Sequence, residues 1–183
     1  MSVDTLFWDV DTQVDFMDPD GNLPVPGATD IEDNLEKLTQ HARTHKIPIL
    51  STQDTHVVDD PEFEQFPPHC VGGTPGHEKI PATLLEEAVL VDEDSVATQA
   101  QALADGDIPQ LILQTGQLDA FEEPAAEDLL RVLEPATVVV YGVTTEFCVR
   151  LAVLGLLQRG YPVRLVMDAI KAIDKDDGRE AVE

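Results

Sequence analysis

The 183 residues of the chain suffice for one globular domain with one core, and 43% of them are hydrophobic. The formal net charge of −25, from 36 acidic and 11 basic residues, excludes nucleic acid and anionic membranes as partners. No apolar run approaches the ~20 residues of a membrane-spanning helix, and no secretory hydrophobic segment opens the chain. We therefore expect one domain over residues 1–183, in the cytoplasm, where its two cysteines remain reduced.

Mostly apolar runs alternate with amphipathic segments along the chain. The apolar runs predict six strands, at residues 5–10, 47–52, 88–91, 110–114, 136–141 and 163–167. Apolar residues at helical spacing predict helices at residues 30–45, 95–103, 125–133 and 145–159. This alternation predicts an α/β fold, a three-layer αβα sandwich around a six-stranded, mainly parallel, doubly wound sheet. The polar segment after Asp168 is expected to be frayed.

Chemically useful side chains follow several of these strands. Asp11 follows the first strand, Asp54 and His56 follow the second, and Cys148 lies in the first turn of the helix after the fifth. Ligands bind beyond the carboxyl ends of parallel strands, so we expect these residues at one edge of the sheet. The helix N-terminus would lower the pKa of the Cys148 thiol and favour a reactive thiolate. The alternative is a buried cysteine that packs as a small hydrophobic side chain.

A long loop over residues 53–81 carries three of the five histidines. Asp54 and His56 are two residues apart, so both side chains point the same way in an extended segment. His69 arrives later on the same loop, whereas His77 is expected to be exposed to solvent. Loops of this length inside a compact domain are usually functional.

The chain resembles the isochorismatase-like cysteine hydrolases and, within them, the nicotinamidases. The opening Asp11-Thr12-Gln13-Val14-Asp15-Phe16 is similar to the family's D-x-Q-x-D-F segment. Three further motifs carry the resemblance: Asp54-Thr55-His56, Pro67-Pro68-His69-Cys70, and the run from Gly142 through Thr144-Thr145-Glu146-Phe147-Cys148 to Val149. The similarity extends from about Leu6 to Asp168, nearly the whole chain.

The resemblance implies a mechanism for two of these residues. Cys148 would attack an amide carbonyl and form a thioester, and Asp11 would be the general base that takes the thiol proton and later activates water. The alternative for Asp11 is an ordinary loop or cap carboxylate. In relatives the peptide that corresponds to Val143–Thr144 is cis. The Thr144 N–H would then join the Cys148 N–H in an oxyanion hole.

One family residue is missing from the chain. The third catalytic residue of the family is a lysine at the end of the fourth strand, where this chain has Thr115, with Gln114 as the nearest alternative. None of the five lysines lies near this strand end in the sequence, and we do not expect Lys79 to reach in from the long loop. Because lysine stabilises the thiolate and the catalytic aspartate, its absence predicts slow turnover, a different substrate or loss of catalysis.

The resemblance also implies a metal and a substrate pocket. In nicotinamidases the residues matching Asp54, His56 and His69 hold a divalent metal that binds the pyridine nitrogen of the substrate, and Glu62 stands where some relatives have a further histidine. Two imidazoles and one or two carboxylates suit Zn²⁺ best, with Fe²⁺ or Mn²⁺ as alternatives. Phe16 and Phe66 are candidate walls around a flat substrate ring, unless they serve in ordinary packing. Thr115 is a further candidate for substrate contact.

The sequence therefore predicts a metal-dependent cysteine amidohydrolase that acts on nicotinamide or a related aromatic amide, in NAD salvage. The alternatives are a carbamoyl or similar substrate, or a catalytically impaired paralogue that binds ligand. The expected partner is a small-molecule amide, and relatives often form homo-oligomers. The acidic residues are spread over every segment, which suggests adaptation to a high-salt cytoplasm where ions screen self-repulsion.

Overall fold

The computed structural model describes residues 2–183 and has six parallel strands with helices on both faces of the sheet. The strands are β1 (Thr5–Val10), β2 (Ile49–Asp54), β3 (Val89–Leu90), β4 (Gln110–Thr115), β5 (Thr137–Val143) and β6 (Val163–Lys171). The helices are α1 (Val14–Met17), α2 (Glu32–His45), α3 (Val96–Asp105), α4 (Pro124–Leu133), α5 (Arg150–Gln158) and α6 (Lys175–Val182).

The strand order β3-β4-β2-β1-β5-β6 places β1 and β2 at the centre of the sheet. Every strand pairing is parallel, so the carboxyl ends of β1, β2 and β5 lie at the same edge. The predicted six-stranded α/β sandwich is thus confirmed, and candidate residues that follow different strands meet at this edge.

Two apolar layers flank the sheet. Leu6, Trp8 and Val10 of β1 pack against the layer that includes α3, α4 and α5, whereas Phe7 packs against the layer that includes α2. Because side chains alternate along a strand, Asp9 shares the face of Phe7. No helix among residues 2–183 has both the length and the apolar character needed to cross a bilayer.

Several element boundaries differ from the sequence prediction. β2 continues through polar residues to Asp54, β5 continues to Val143, and β6 continues past a register shift to Lys171. In each case pairing with a neighbouring strand extends the element beyond the apolar run that predicted it. The segment expected to be frayed forms α6, whose first backbone N–H groups are capped by the Asp174 carboxylate.

Candidate active site and metal centre

The ends of β1 and β5 lie side by side at the candidate site. Val10 pairs with Gly142, whose φ of 121° and contact with the Val10 carbonyl oxygen leave no room for a Cβ atom. Asp11, with φ of 45°, turns out of β1, and a π-helical turn at Thr145–Val149 carries Cys148. The Val143–Thr144 peptide is cis, as the resemblance implied.

The Cys148 thiol and the Asp11 carboxylate lie close enough to shift each other's pKa. The Thr52 hydroxyl donates to Asp11 Oδ1 at 2.6 Å, which fixes the carboxylate from the neighbouring strand β2. Asp11 is buried, while Cys148 is partly exposed. The structure therefore places the predicted nucleophile next to the predicted base.

The electrostatics of this pair differ from the sequence prediction. Burial, together with the negative charges of Asp11 and Asp54, raises the pKa of Cys148 well above its ordinary value. The expectation of a lowered thiol pKa was wrong, because the helix N-terminus is outweighed by desolvation and by carboxylates. Burial and Asp54 likewise raise the pKa of Asp11 to about 7. Cys148 is thus a thiol that needs a base, and Asp11 titrates in the range where such a base works best.

The three predicted metal ligands converge at the end of β2. Asp54 Oδ2 lies 3.0 Å from His56 Nε2 and 3.2 Å from His69 Nε2, and all three residues are buried. One donor atom from each lies within 4.8 Å of the other two. Glu62 Oε1 stands farther away, 4.0 Å from His56 Nε2 and 3.9 Å from His69 Nε2. The set of two imidazoles and one or two carboxylates fits a divalent transition metal.

The Nδ1 atom of each imidazole ring faces an oxygen atom outside the ligand cluster. His69 Nδ1 donates to the Pro67 carbonyl oxygen at 2.8 Å. His56 Nδ1 lies 3.1 Å from Asp60 Oδ2, although this contact is not aligned as a hydrogen bond. With Nδ1 directed outward in both residues, Nε2 is the atom that faces Asp54 and would bind a metal.

Protons occupy this cluster in the absence of a cation. Burial disfavours the charged form of His56, but Asp54 outweighs it and raises the His56 pKa to about 9. Burial would raise the pKa of Asp54, yet hydrogen bonds from His56 and His69 hold it below its ordinary value. Burial and the nearby Asp54 raise the pKa of Glu62. A cation that binds here must therefore displace protons.

A cavity joins the nucleophile to the metal ligands. Cys148 and Thr144 line one side of it, and Asp54, His69 and Glu62 line the other. Its apolar walls include both predicted aromatic residues and four that the sequence analysis missed, listed here: Phe16, Phe66, Phe147, Leu118, Leu23 and Ile173. The cavity thus combines apolar walls with Cys148 and with the candidate metal ligands.

Thr115 has a different setting. It is buried at the end of β4, beside Asp54 in the strand pairing, and its carbonyl oxygen accepts the Thr55 N–H at 2.8 Å. Among residues 2–183, those that line the cavity do not include Thr115. A cation nevertheless reaches the region: Lys79, which the sequence analysis set aside, is buried, and its positive charge lowers the pKa of Asp11.

Two residues of the long loop have structural roles. His77, expected to be exposed, is buried, and its carbonyl oxygen accepts hydrogen bonds from the Gln13 and Gln53 side chains. Cys70 is fully buried, and burial raises the pKa of its thiol. This setting agrees with the prediction that Cys70 is a small packed residue and not a second nucleophile.

Comparison with known proteins identifies the group to which this site belongs. The family model described as the isochorismatase domain matches residues 6–183. The chain belongs to the isochorismatase family. Its sequence is 24% identical to the nicotinamidase of Escherichia coli strain K12 over 186 residues, which cover 90% of this chain and 82% of that protein.

Solved structures of isochorismatase-family hydrolases share the fold. The pyrazinamidase of Pyrococcus horikoshii in complex with zinc has a TM-score of 0.78 and 28% identity, with 98% of this chain and 92% of that chain covered. The pyrazinamidase/nicotinamidase of Streptococcus mutans UA159 has a TM-score of 0.79 and 25% identity, with coverages of 97% and 93%. The expectation of a hydrolase of this family is confirmed.

Proposed function

We propose that this protein is a metal-dependent cysteine amidohydrolase that converts nicotinamide, or a closely related aromatic amide, into the acid and ammonia. The observation that carries the proposal is that Cys148, which has Asp11 as its neighbouring carboxylate, shares a cavity with Asp54 and His69. A thiol with a neighbouring base, beside a pocket with aromatic and aliphatic walls, suits attack on an aromatic carboxamide.

The reaction divides into two acyl transfers. The Asp11 carboxylate takes the Cys148 proton as the sulfur attacks the amide carbonyl, and the protonated Asp11 then donates to the departing nitrogen. The C–N bond breaks, ammonia leaves and a thioester remains on Cys148. Asp11 next takes a proton from a water molecule, and the oxygen of this water attacks the thioester carbonyl. The C–S bond breaks, the acid is released, and the proton passes from Asp11 to the sulfur to restore the thiol. Backbone N–H groups of Thr144 and Cys148 are the proposed donors to the oxyanion.

The residues present fit a bound divalent metal. Asp54, His56 and His69 would hold it, with Glu62 as a further ligand, and zinc is the proposed ion. When bound, the metal would act as a Lewis acid that holds a ring nitrogen of the substrate and orients the ring. The pyrazinamidase of P. horikoshii, 28% identical, was solved in complex with zinc, which supports this choice.

Ammonia release tests the proposal directly. Protein loaded with zinc is incubated with nicotinamide, and ammonia is measured beside nicotinic acid by chromatography. Wild type should form both products in equal amounts, and Cys148→Ala should form neither while it retains zinc. Retention of activity in Cys148→Ala would reject the thioester route. A zinc-loaded wild type that forms no product would reject nicotinamide as the substrate.

A second candidate function is ligand binding without turnover, which is favoured by Thr115 at the place of the family lysine. Under this alternative, zinc-loaded protein binds nicotinamide in isothermal titration but releases no ammonia. Thr115→Lys would then restore turnover if missing charge is the only defect.

A further inference from the structure

A buried ion pair lies directly beside the catalytic pair. Among residues 2–183, Lys79 is the one lysine or arginine that is buried, with 4% of its surface exposed. Its Nζ lies 2.9 Å from Oδ2 of Asp9, which is fully buried on β1. Asp9 lies in β1 and Asp11 follows two residues later, at the turn where the chain leaves the strand with φ of 45°.

Backbone pairing holds Lys79 at this place. Residues 78–80 run antiparallel to the turn after β1: the Val14 N–H donates to the Glu78 carbonyl at 2.9 Å, and the Ile80 N–H donates to the Thr12 carbonyl at 3.0 Å. The end of the long loop is therefore joined to the turn that follows Asp11. The Lys79 side chain reaches Asp9 on β1 and Thr52 on β2.

The ammonium group has a complete set of partners. Besides Asp9, its Nζ donates to Thr12 Oγ1 at 3.0 Å and to the Thr52 carbonyl oxygen at 3.3 Å. These three acceptors use all three ammonium hydrogens. Thr52 also connects Lys79 to the base, because its hydroxyl donates to Asp11 Oδ1 at 2.6 Å.

Several carboxylates lie around the reacting atoms, and the imidazoles of His56 and His69 are held against one of them, Asp54. Asp54 on β2 and Glu62 on the long loop both act against ionisation of Cys148, and Asp54 acts against ionisation of Asp11. Against these carboxylates, Lys79 stabilises the charged form of Asp11. A buried ion pair adds little stability compared with apolar packing, so stability alone does not account for Lys79.

We propose that Lys79 is a positioning residue whose positive charge keeps the Asp11–Cys148 pair able to ionise. Lys79 lies on the long loop, whereas the family lysine would stand at the end of β4, where this chain has Thr115. This inference rests on the proposed function only in taking Cys148 as the nucleophile. Removing the charge should make both members of the pair harder to ionise, whereas removing the opposing charge of Asp9 should make them easier to ionise.

Thiol alkylation against pH tests the proposal. Purified full-length protein of measured metal content is treated with iodoacetamide, and peptide mass spectrometry follows Cys148 separately from Cys70. In Lys79→Met the alkylation profile should move to higher pH by about one unit, which is about tenfold slower reaction near neutral pH. The matched control is Lys37→Met, which removes the same charge from an exposed position on α2 and should leave the profile unchanged.

Asp9→Asn keeps the test decisive if Lys79→Met does not fold. This near-isosteric change leaves the charge of Lys79 unopposed, so the profile should move to lower pH. A purely structural ion pair would lower the melting temperature in both variants without moving the profile in opposite directions. A folded Lys79→Met or Asp9→Asn protein with the wild-type profile would overturn the proposal. The alkylation test uses no substrate. A protein that fails to hydrolyse nicotinamide can therefore still show a shifted or an unshifted alkylation profile.

Discussion

Cys148 depends on Asp11 for its reactivity, because the surroundings of the sulfur oppose a thiolate. Burial and nearby carboxylates raise the pKa of the thiol, while the pKa of Asp11 is raised to about 7. Above about pH 7 the Asp11 carboxyl is ionised while the sulfur still holds its proton, so the carboxylate can accept that proton during attack. Nucleophilic attack and proton transfer must occur together at this site.

Asp11→Asn removes the proton acceptor and keeps the shape of the side chain. We expect amide hydrolysis to fall by about 10²–10⁴-fold, the usual contribution of a general base. Initial rates of ammonia release measure the effect, with zinc content determined for each variant. The control Asp33→Asn changes an exposed carboxylate on α2 and should retain the wild-type rate. A loss of less than tenfold in Asp11→Asn would assign the base to another group.

The raised pKa of Asp11 predicts an acid limit to Cys148 reactivity. Below the pKa of about 7 the carboxyl is protonated and cannot accept the thiol proton, so reactivity should rise as the pH increases through this range. A cation bound to Asp54 would offset one of the negative charges that raise this pKa. Alkylation profiles of chelator-treated and zinc-loaded protein should therefore differ: the rise of Cys148 alkylation with pH should occur at lower pH in the zinc-loaded protein. Coincident profiles would contradict this coupling.

At the scale of elements, the long loop between β2 and β3 is anchored by α1. Asp15 of α1 accepts the Cys70 N–H at 2.7 Å and the Asn22 N–H at 2.9 Å through its two carboxylate oxygens. The Cys70 contact fixes the chain immediately after His69. Gly76 packs against the same carboxylate so closely that a Cβ atom would collide with it.

Gly76→Ala should displace the Asp15 carboxylate and loosen the loop that holds His69. Two backbone N–H groups would lose their acceptor, at a cost of about 1–3 kcal/mol each if they remain buried. Thermal unfolding and zinc titration should show a lower melting temperature and weaker zinc binding. Gly72→Ala is the matched control in the same loop, because its added Cβ would meet only ordinary van der Waals contacts. Equal behaviour of the two variants would contradict the anchoring role of Asp15.

Zinc binding should release protons from the loop cluster. His56, with a pKa raised to about 9, is protonated at pH 7 and must become neutral before it can bind the ion. Isothermal titration at pH 7 in two buffers of different ionisation enthalpy should give different apparent enthalpies. The difference should shrink above pH 9, where His56 is already neutral. His69→Ala should bind zinc far more weakly, whereas His45→Ala, on the exposed side of α2, should match wild type.

At the scale of the whole molecule, the surface is strongly acidic and poorly neutralised. The formal net charge is −25, and among residues 2–183 the lysines and arginines outside the buried pair form four ion pairs. Most carboxylates among residues 2–183 therefore have no lysine or arginine within ion-pair distance. Such self-repulsion destabilises the compact state, and added salt screens it.

The melting temperature should consequently rise between low and molar KCl. Calorimetry over a KCl series measures the change, with sucrose at matched osmolality as a control that does not screen charge. Because screening of a net charge is the cause, NaCl should act almost as KCl does. A melting temperature that stays flat or falls with KCl would reject adaptation to a salty interior.

The sequence alone determined the order of the elements and most of the site. Apolar runs predicted the buried strands because both faces of the sheet are covered, and motifs next to strand ends marked Asp11, Asp54 and Cys148. These features depend on neighbouring residues along the chain, which a sequence displays directly.

Tertiary structure decided the electrostatics. The raised pKa of Cys148, the burial of His77 and the approach of Lys79 to Asp9 all depend on segments far apart in sequence. Residue 79 belongs to a loop, and only its backbone pairing with the turn after β1 carries its charge to the site. The interaction between two charges depends on their distance and burial, and the order of the residues gives neither of these quantities.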